Sequence, residues 1–282
     1  MNPFDVFLIN PILNLLVAIY AALQTISLPG SLGFAIIILT SIIRFALWPL
    51  TTHQLKSTQK MTELKPHLER IKRDHGHDKA RHQEEVTKLY KEHGVNPLAG
   101  CLPLLLQIPV FIALYQVLLK IVEFNKADFL TSINSRLYAQ SLYLDHIPDT
   151  SFLGFNLADK PNQWGQVGVL ILLVPVATGA FQFIQSKMMS PASPSSRGEP
   201  AASPRAVQKT QEEKKESMED SMAQVQSQMI LIMPAMIAFF SYGFPLGLSL
   251  YWNTFTIIGI IQQYMISGAG AMNKYLPQKW RK

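Results

Sequence analysis

SLGFAIIILTSIIRFALWPL, residues 31–50, is a nearly unbroken apolar run with a single charge, Arg44, inside it. An α-helix rises ~1.5 Å per residue, so about 20 residues cross the ~30 Å hydrocarbon core of a bilayer. The run therefore reads as a transmembrane helix with Arg44 nearer one end than the other. An arginine at a helix centre costs roughly 2.5–3.5 kcal/mol on insertion scales. A charge held at that cost usually has a function.

Composition extends the membrane reading to the whole chain. Of its 282 residues, 48% are hydrophobic and 16% charged, against ~25% charged in an average soluble domain. Further long apolar runs occupy 97–121, 165–187, 226–243 and 246–267, and they lack the amphipathic period of a buried soluble helix. With 32–52 they make five spans of an all-α integral membrane protein, and no acid lies inside any of them. Cys101 is the only cysteine, which excludes a disulfide framework or a cysteine-built metal site and suits a small buried side chain. No lysine or arginine precedes Arg44, which argues against a cleavable signal or an Arg-rich transit peptide.

Charge bias orients the bundle. Segments 53–96, 188–225 and 268–282 share one side of a five-span protein and hold ten, five and four Lys/Arg. Segments 1–31 and 122–164, with the tight turn near 244, share the other side and hold only Lys126, Arg136 and Lys160. The positive-inside rule places the first group, and with it the C-terminus, in the cytoplasm. Arg44 then lies in the cytoplasmic half of its helix. Residues 8–26 are long enough for a sixth span, but Asn10, Asn14, Ala21 and Thr25 line one face opposite Ile12, Leu16, Ile19 and Leu23. That weak amphipathicity favours an external interfacial helix within 1–31, although no flanking basic residue chooses between the two.

The cytoplasmic segments differ in kind. Residues 54–94 carry ten basic and seven acidic residues, with Met61, Leu64, Leu68 and Ile71 at three-and-four spacing. A break at His75-Gly76-His77 separates this stretch from a second helical stretch around 83–93, which predicts a charged helical hairpin with a narrow apolar seam. By contrast SPASPSSRGEPAASP, residues 190–204, has the composition of a flexible linker. The polar, helix-forming stretch from about 207 runs on towards the fourth span.

Catalysis finds no support in the residue set. The seven histidines, 53, 67, 75, 77, 82, 93 and 146, all lie outside the span cores, so an intramembrane serine nucleophile has no histidine base. Aspartyl and metal-dependent proteolysis lack intramembrane acids. His75, His77, His82 and Asp78 could bind a metal, but a solvated loop explains them better. No glycine-rich phosphate loop is present. No catalytic residue, cofactor or metal is therefore assigned.

Arg44 must then either snorkel to the cytoplasmic interface, ~9–13 Å along the helix, or face a wet cavity. Hydrophilic side chains on the spans favour the cavity: Thr40, Ser41, Gln107, Gln182, Gln185, Asn253 and Thr254. So do Pro103, Pro109, Pro175 and Pro234, which bend helices and free backbone groups. A hydrophilic groove with one fixed positive charge attracts an acidic or polar peptide segment.

The run HGVNPLAGCLPLLLQIPVFIALY, residues 93–115, resembles the YidC family of membrane-protein insertases. Within it Asn96-Pro97 supplies a helix start and Pro103 and Pro109 bend the span behind. SIIRFALWPL, residues 41–50, resembles the family's first core helix, so that Arg44 matches the groove arginine. Gln185-Ser186-Lys187 and Leu250-Tyr251-Trp252 resemble parts of the third and fifth helices. The resemblance covers about 31–267.

It implies five core helices around a hydrophilic groove open to cytoplasm and lipid, with Trp252 beside Arg44 and the groove glutamines. A mobile recruiting hairpin over 53–96 would present Lys60 and the seam Met61, Leu64, Leu68 and Ile71. The implied partners are nascent membrane-protein substrates and the lipid bilayer of a bacterial cell membrane, and no DNA. Engagement of a ribosome, a targeting receptor or the Sec translocon is left open. Residues 1–31 have no room for the large external domain of the family's Gram-negative form, so the chain resembles its shorter type, without that type's lipoprotein signal. The 190–206 insertion reads as a tolerated loop. The basic tail, Lys274, Lys279, Trp280, Arg281 and Lys282, suits ribosomal RNA, anionic lipid or simple positive-inside bias. The alternatives to insertion are a small-solute or ion channel using the same groove, and an assembly factor that only holds other membrane proteins together.

Overall fold

The computed structural model describes residues 2–95, 102–123, 126–189, 218–275 and 277. A π-helical turn over Asp5–Ile9 leads into α1 (Asn10–Thr25). A turn with Gly30 at φ 75° then reverses the chain into α2 (Ser31–Ala46).

The apolar run 31–50 does not form one helix. Helix α3 (Trp48–Glu63) follows α2 after a bend of 62° at Leu47. Pro49 explains the bend: it offers no N–H to the Phe45 carbonyl four residues back, and its ring crowds that turn. The chain hydrogen-bonds across the break, Leu47 N–H to Ile43 O at 3.0 Å and Thr51 N–H to Leu47 O at 2.9 Å.

Helices α4 (Lys65–His75) and α5 (Lys79–Glu92) close the expected hairpin. Asp78 caps α5 through Oδ1, which accepts from Ala80 N–H at 3.1 Å and Arg81 N–H at 3.2 Å; this satisfies donors of the first turn. The predicted seam forms, with Leu64 buried against Leu89 and Val95 and with Met61, Leu68 and Ile71 packed around them.

Helices α6 (Leu102–Glu123) and α7 (Lys126–Asn134) are followed by a two-stranded hairpin, β1 (Ser151–Phe152) and β2 (Phe155–Asn156), and the short α8 (Trp164–Val167). Helices α9 (Leu173–Met189), α10 (Met218–Gly243) and α11 (Leu246–Ser267) complete the bundle. Pro175 falls in the first turn of α9, where a missing N–H costs nothing, so it does not bend that span. By length and composition, Asp5–Thr25 and Val169–Met189 can each cross a membrane, and α2 with α3 forms a bent candidate span.

Helix α11 is central, packing on α9, α2, α3 and α6. A Cβ added at Gly179 of α9 would lie only 2.9 Å from Ala238 of α10, so small residues let these two helices approach closely. The buried hydroxyls tie α9, α10 and α11: Ser241 donates to Thr178 at 3.4 Å and shares a 3.0 Å bond with Ser249. The loop before α8 caps α11, with Leu246 N–H on Asp159 O and Gly247 N–H on Leu157 O, both 2.9 Å. Those are first-turn donors that would otherwise lack partners.

On the polar face of α1 the two asparagines are turned into the protein, while Thr25 at its end is exposed. Asn10 and Asn14 are 3% and 6% exposed. Asn14 Nδ2 donates to Arg136 O at 2.9 Å and its Oδ1 accepts from Tyr138 N–H at 2.7 Å. Asp5 lies 3.8 Å from the Arg136 guanidinium. The amphipathicity that favoured an interfacial helix is thus a protein contact, and α1 with its preceding turn has the length of a span.

Asn96-Pro97, Cys101, the Gln107 side chain, residues 190–217 and the tail positions Lys279, Trp280, Arg281 and Lys282 lie outside the described residues.

Candidate functional site

Arg44 sits in the last turn of α2, where the helix dipole favours a cation. Its side chain is covered, at 7% exposure. Arg44 Cζ lies 4.0 Å from the Phe255 ring centroid, within the range of a cation–π contact. One turn further along α11, Gly259 faces the same guanidinium. A Cβ there would overlap Arg44 Nη2 and come 2.5 Å from Gln185 Nε2. Three helices, α2, α9 and α11, therefore meet at a position that only glycine leaves open. Arg44 Nε has no hydrogen-bond partner among the described residues, and no ion pair of Arg44 is found among them.

Trp252, Phe255 and Gly259 recur at three- and four-residue spacing and so share one face of α11. Gln182 and Gln185 run beside them on α9. Trp252 Nε1 donates to Gln182 Oε1 at 3.3 Å, and its ring meets Phe111 of α6 edge to face, 5.4 Å between centroids. Phe111 in turn packs on Tyr115 and Phe244. The result is a strip with an aromatic wall at one end, amides along its flank and the guanidinium at the other end. Asn253 points aside from Trp252, with its Oδ1 buried and unpaired among the described residues.

Of the residues singled out in the sequence, Arg44, Gln182, Gln185 and Trp252 come together in this strip. Thr40, Ser41 and Thr254 do not contribute: their hydroxyls bond back to Ile36, Ile37 and Leu250 carbonyls at 2.6, 2.8 and 2.8 Å. A polar cavity of about 360 Å³ lies elsewhere, by the α1–α2 turn, between Tyr20, Gln24, Ser31, His146 and Asp149. At its rim the Ser151 N–H, 2.9 Å away, holds the Asp149 carboxyl below the usual carboxylate range.

Sequence reasoning missed Phe255, Gly259 and Gln262. The first two were signalled by their spacing from Trp252. Gln262 is fully buried and donates through Nε2 to Thr51 Oγ1 at 2.6 Å and Trp48 O at 3.2 Å, which pins α11 to the chain just after the bend.

A family model described as the 60Kd inner membrane protein matches residues 23–273, which contain the whole strip. The chain belongs to this family. Members of the 60Kd inner membrane protein family similar to it include the membrane protein insertase YidC of Fusobacterium nucleatum. That relative is 34% identical over 242 residues, 86% of this chain and 89% of the relative. The YidC of Nitratidesulfovibrio vulgaris is 30% identical over 261 residues, 92% of this chain. The chain spans only 38% of that longer relative. Among solved structures, an active YidC insertase with its first transmembrane domain resolved is 26% identical, with a TM-score of 0.54. The match covers 94% of this chain and 47% of that one. The all-α membrane architecture and the family resemblance expected from the sequence both hold.

Proposed function

We propose that this chain is a membrane-protein insertase and membrane chaperone of the bacterial inner membrane, and not an enzyme. One observation carries the reading: a guanidinium enclosed in the bundle against Phe255, Gly259 and Gln185, on the strip that continues to Gln182 and Trp252, with no carboxylate partner among the described residues. A buried charge without a counter-ion is costly, and a passing acidic segment can supply that counter-ion. The hydrophilic flank of a substrate enters the strip while its apolar part partitions into lipid, at ~0.8 kcal/mol per buried CH₂. That partition drives transfer without nucleotide. Gln107 and Asn253 belong to the same groove in this proposal.

The hairpin over 53–96, formed by the end of α3 with α4 and α5, recruits from the cytoplasm. Leu64 is buried inside it, so Lys60 and the other charges of its outer face, with Met61, Leu68 and Ile71 supporting them, make the contact. A ribosome, a targeting receptor or the Sec translocon would meet that same side, which also carries the C-terminus.

The test uses the full chain in vesicles of phosphatidylethanolamine and phosphatidylglycerol holding a trapped dye. A small membrane protein with an acidic translocated segment should become protease-protected without dye loss. Dye or ion flux without insertion would overturn the reading in favour of a channel.

A further inference from the structure

The enclosure of Arg44 is built, not incidental. Phe255 presents its face to the guanidinium, Gly259 leaves the notch that Nη2 occupies, and the Gln185 amide closes the side. These residues come from two helices, and the bend at Leu47 starts three residues beyond Arg44.

We propose that Phe255 and Gly259 form a resting seat for Arg44 and set the threshold at which an anionic segment engages it. This proposal rests on the insertase reading. The ring face offers the cation a weak, neutral partner. A carboxylate from a translocating segment offers a stronger one and draws the guanidinium off the ring. Neutral segments make no such offer, so the seat discriminates by charge. Phe255 and Gly259 are positioning residues that act through Arg44. Filling the notch or removing the ring unseats the arginine in advance. The atoms facing a new Cβ at Gly259 are the ends of two flexible side chains, so Gly259→Ala is compatible with the fold.

The test has two independent readouts on the full chain in the same lipid vesicles. The first is the rate at which phenylglyoxal, an arginine-selective reagent, modifies Arg44, followed by mass spectrometry of its peptide. Gly259→Ala and Phe255→Leu should raise that rate about three- to tenfold, the scale of one desolvated cation–π contact. Phe255→Tyr, which keeps an aromatic face, should stay near the parent rate. The second readout is the ratio of insertion rates for two substrates that differ only in acidic or neutral translocated segments. The ratio should rise in Gly259→Ala and Phe255→Leu.

Unchanged modification rates in both variants would overturn the seat. So would equal changes for acidic and neutral substrates, because a purely structural lesion acts on both. Should Gly259→Ala fail to fold, Phe255→Leu against Phe255→Tyr still decides. If the parent protein inserts nothing, the insertase reading fails while the modification rates still report on the seat.

Discussion

Arg44 and Phe255 stack across the α2–α11 contact, with the guanidinium carbon 4.0 Å from the ring centroid. A ring face stabilises a cation by about 0.5–2 kcal/mol. That is small beside the several kcal/mol of effective desolvation penalty for a buried ion. The helix C-terminus adds a further favourable field of about 0.3–1 kcal/mol. The charge is tolerated where it sits, but a carboxylate would still stabilise it.

Charge should therefore matter more at position 44 than side-chain shape. Arg44→Ala should lower insertion of a substrate with an acidic translocated segment by roughly tenfold or more, about 1.4 kcal/mol of lost stabilisation. Arg44→Lys should keep most of it, because the acidic segment is attracted by the positive charge itself, even though the ammonium gives up the guanidinium's stacking on Phe255. Protease protection of the substrate in vesicles reads both. A silent Arg44→Ala would instead support a purely structural assembly factor.

Gly33 and Phe152 form a second close fit. A Cβ at Gly33 of α2 would overlap the Phe152 ring, which is buried and meets Phe34 edge to face at 5.2 Å. Gly33→Ala should destabilise the protein by about 1–3 kcal/mol through overpacking. Added to Phe152→Ala it should do far less, since the clash is gone. A double-mutant cycle on thermal unfolding in detergent measures the coupling, and strict additivity would contradict this contact.

Gln262 should be needed to hold the bend. Gln262→Leu removes the donor that ties α11 to the Trp48 carbonyl and the Thr51 hydroxyl, which then keep only their bonds within the bend, at a cost of about 0.5–1.5 kcal/mol. Limited proteolysis near residues 47–52 should become faster. Thr51→Val should do less harm in the Gln262→Leu background than in the parent.

Asp149 gives a local pH signature. Its folded pKa is depressed, chiefly by the Ser151 N–H, so its contribution to stability is present above the unfolded value of about 3.9. It disappears as pH falls through the lower folded value. Asp159, raised by burial, acts in the opposite direction, so the measurement must be local. Exchange of the Ser151 amide should quicken in acid beyond its intrinsic pH trend, and Asp149→Asn should remove that excess.

The helices at Leu173–Met189 and Leu246–Ser267, the hairpin break at Gly76 and the seam around Leu64 were all legible in the sequence. Each is a local property, either apolar length or helical spacing. The division of 31–50 was legible as well, in Pro49, although apolar length masks it. The polar face of α1 was misleading, because Asn14 looks alike whether it faces water or the backbone at Arg136 and Tyr138.

The sequence by itself determined an all-α membrane protein with one arginine and no acid in the five apolar runs 32–52, 97–121, 165–187, 226–243 and 246–267, because hydropathy and charge are carried residue by residue. Only the tertiary structure decided what surrounds that arginine. Phe255, Gly259 and Gln185 lie more than a hundred residues from Arg44 along the chain. Helix packing alone brings ring, notch and amide to one point. The physical reason is that a missing Cβ has meaning only when another helix approaches it.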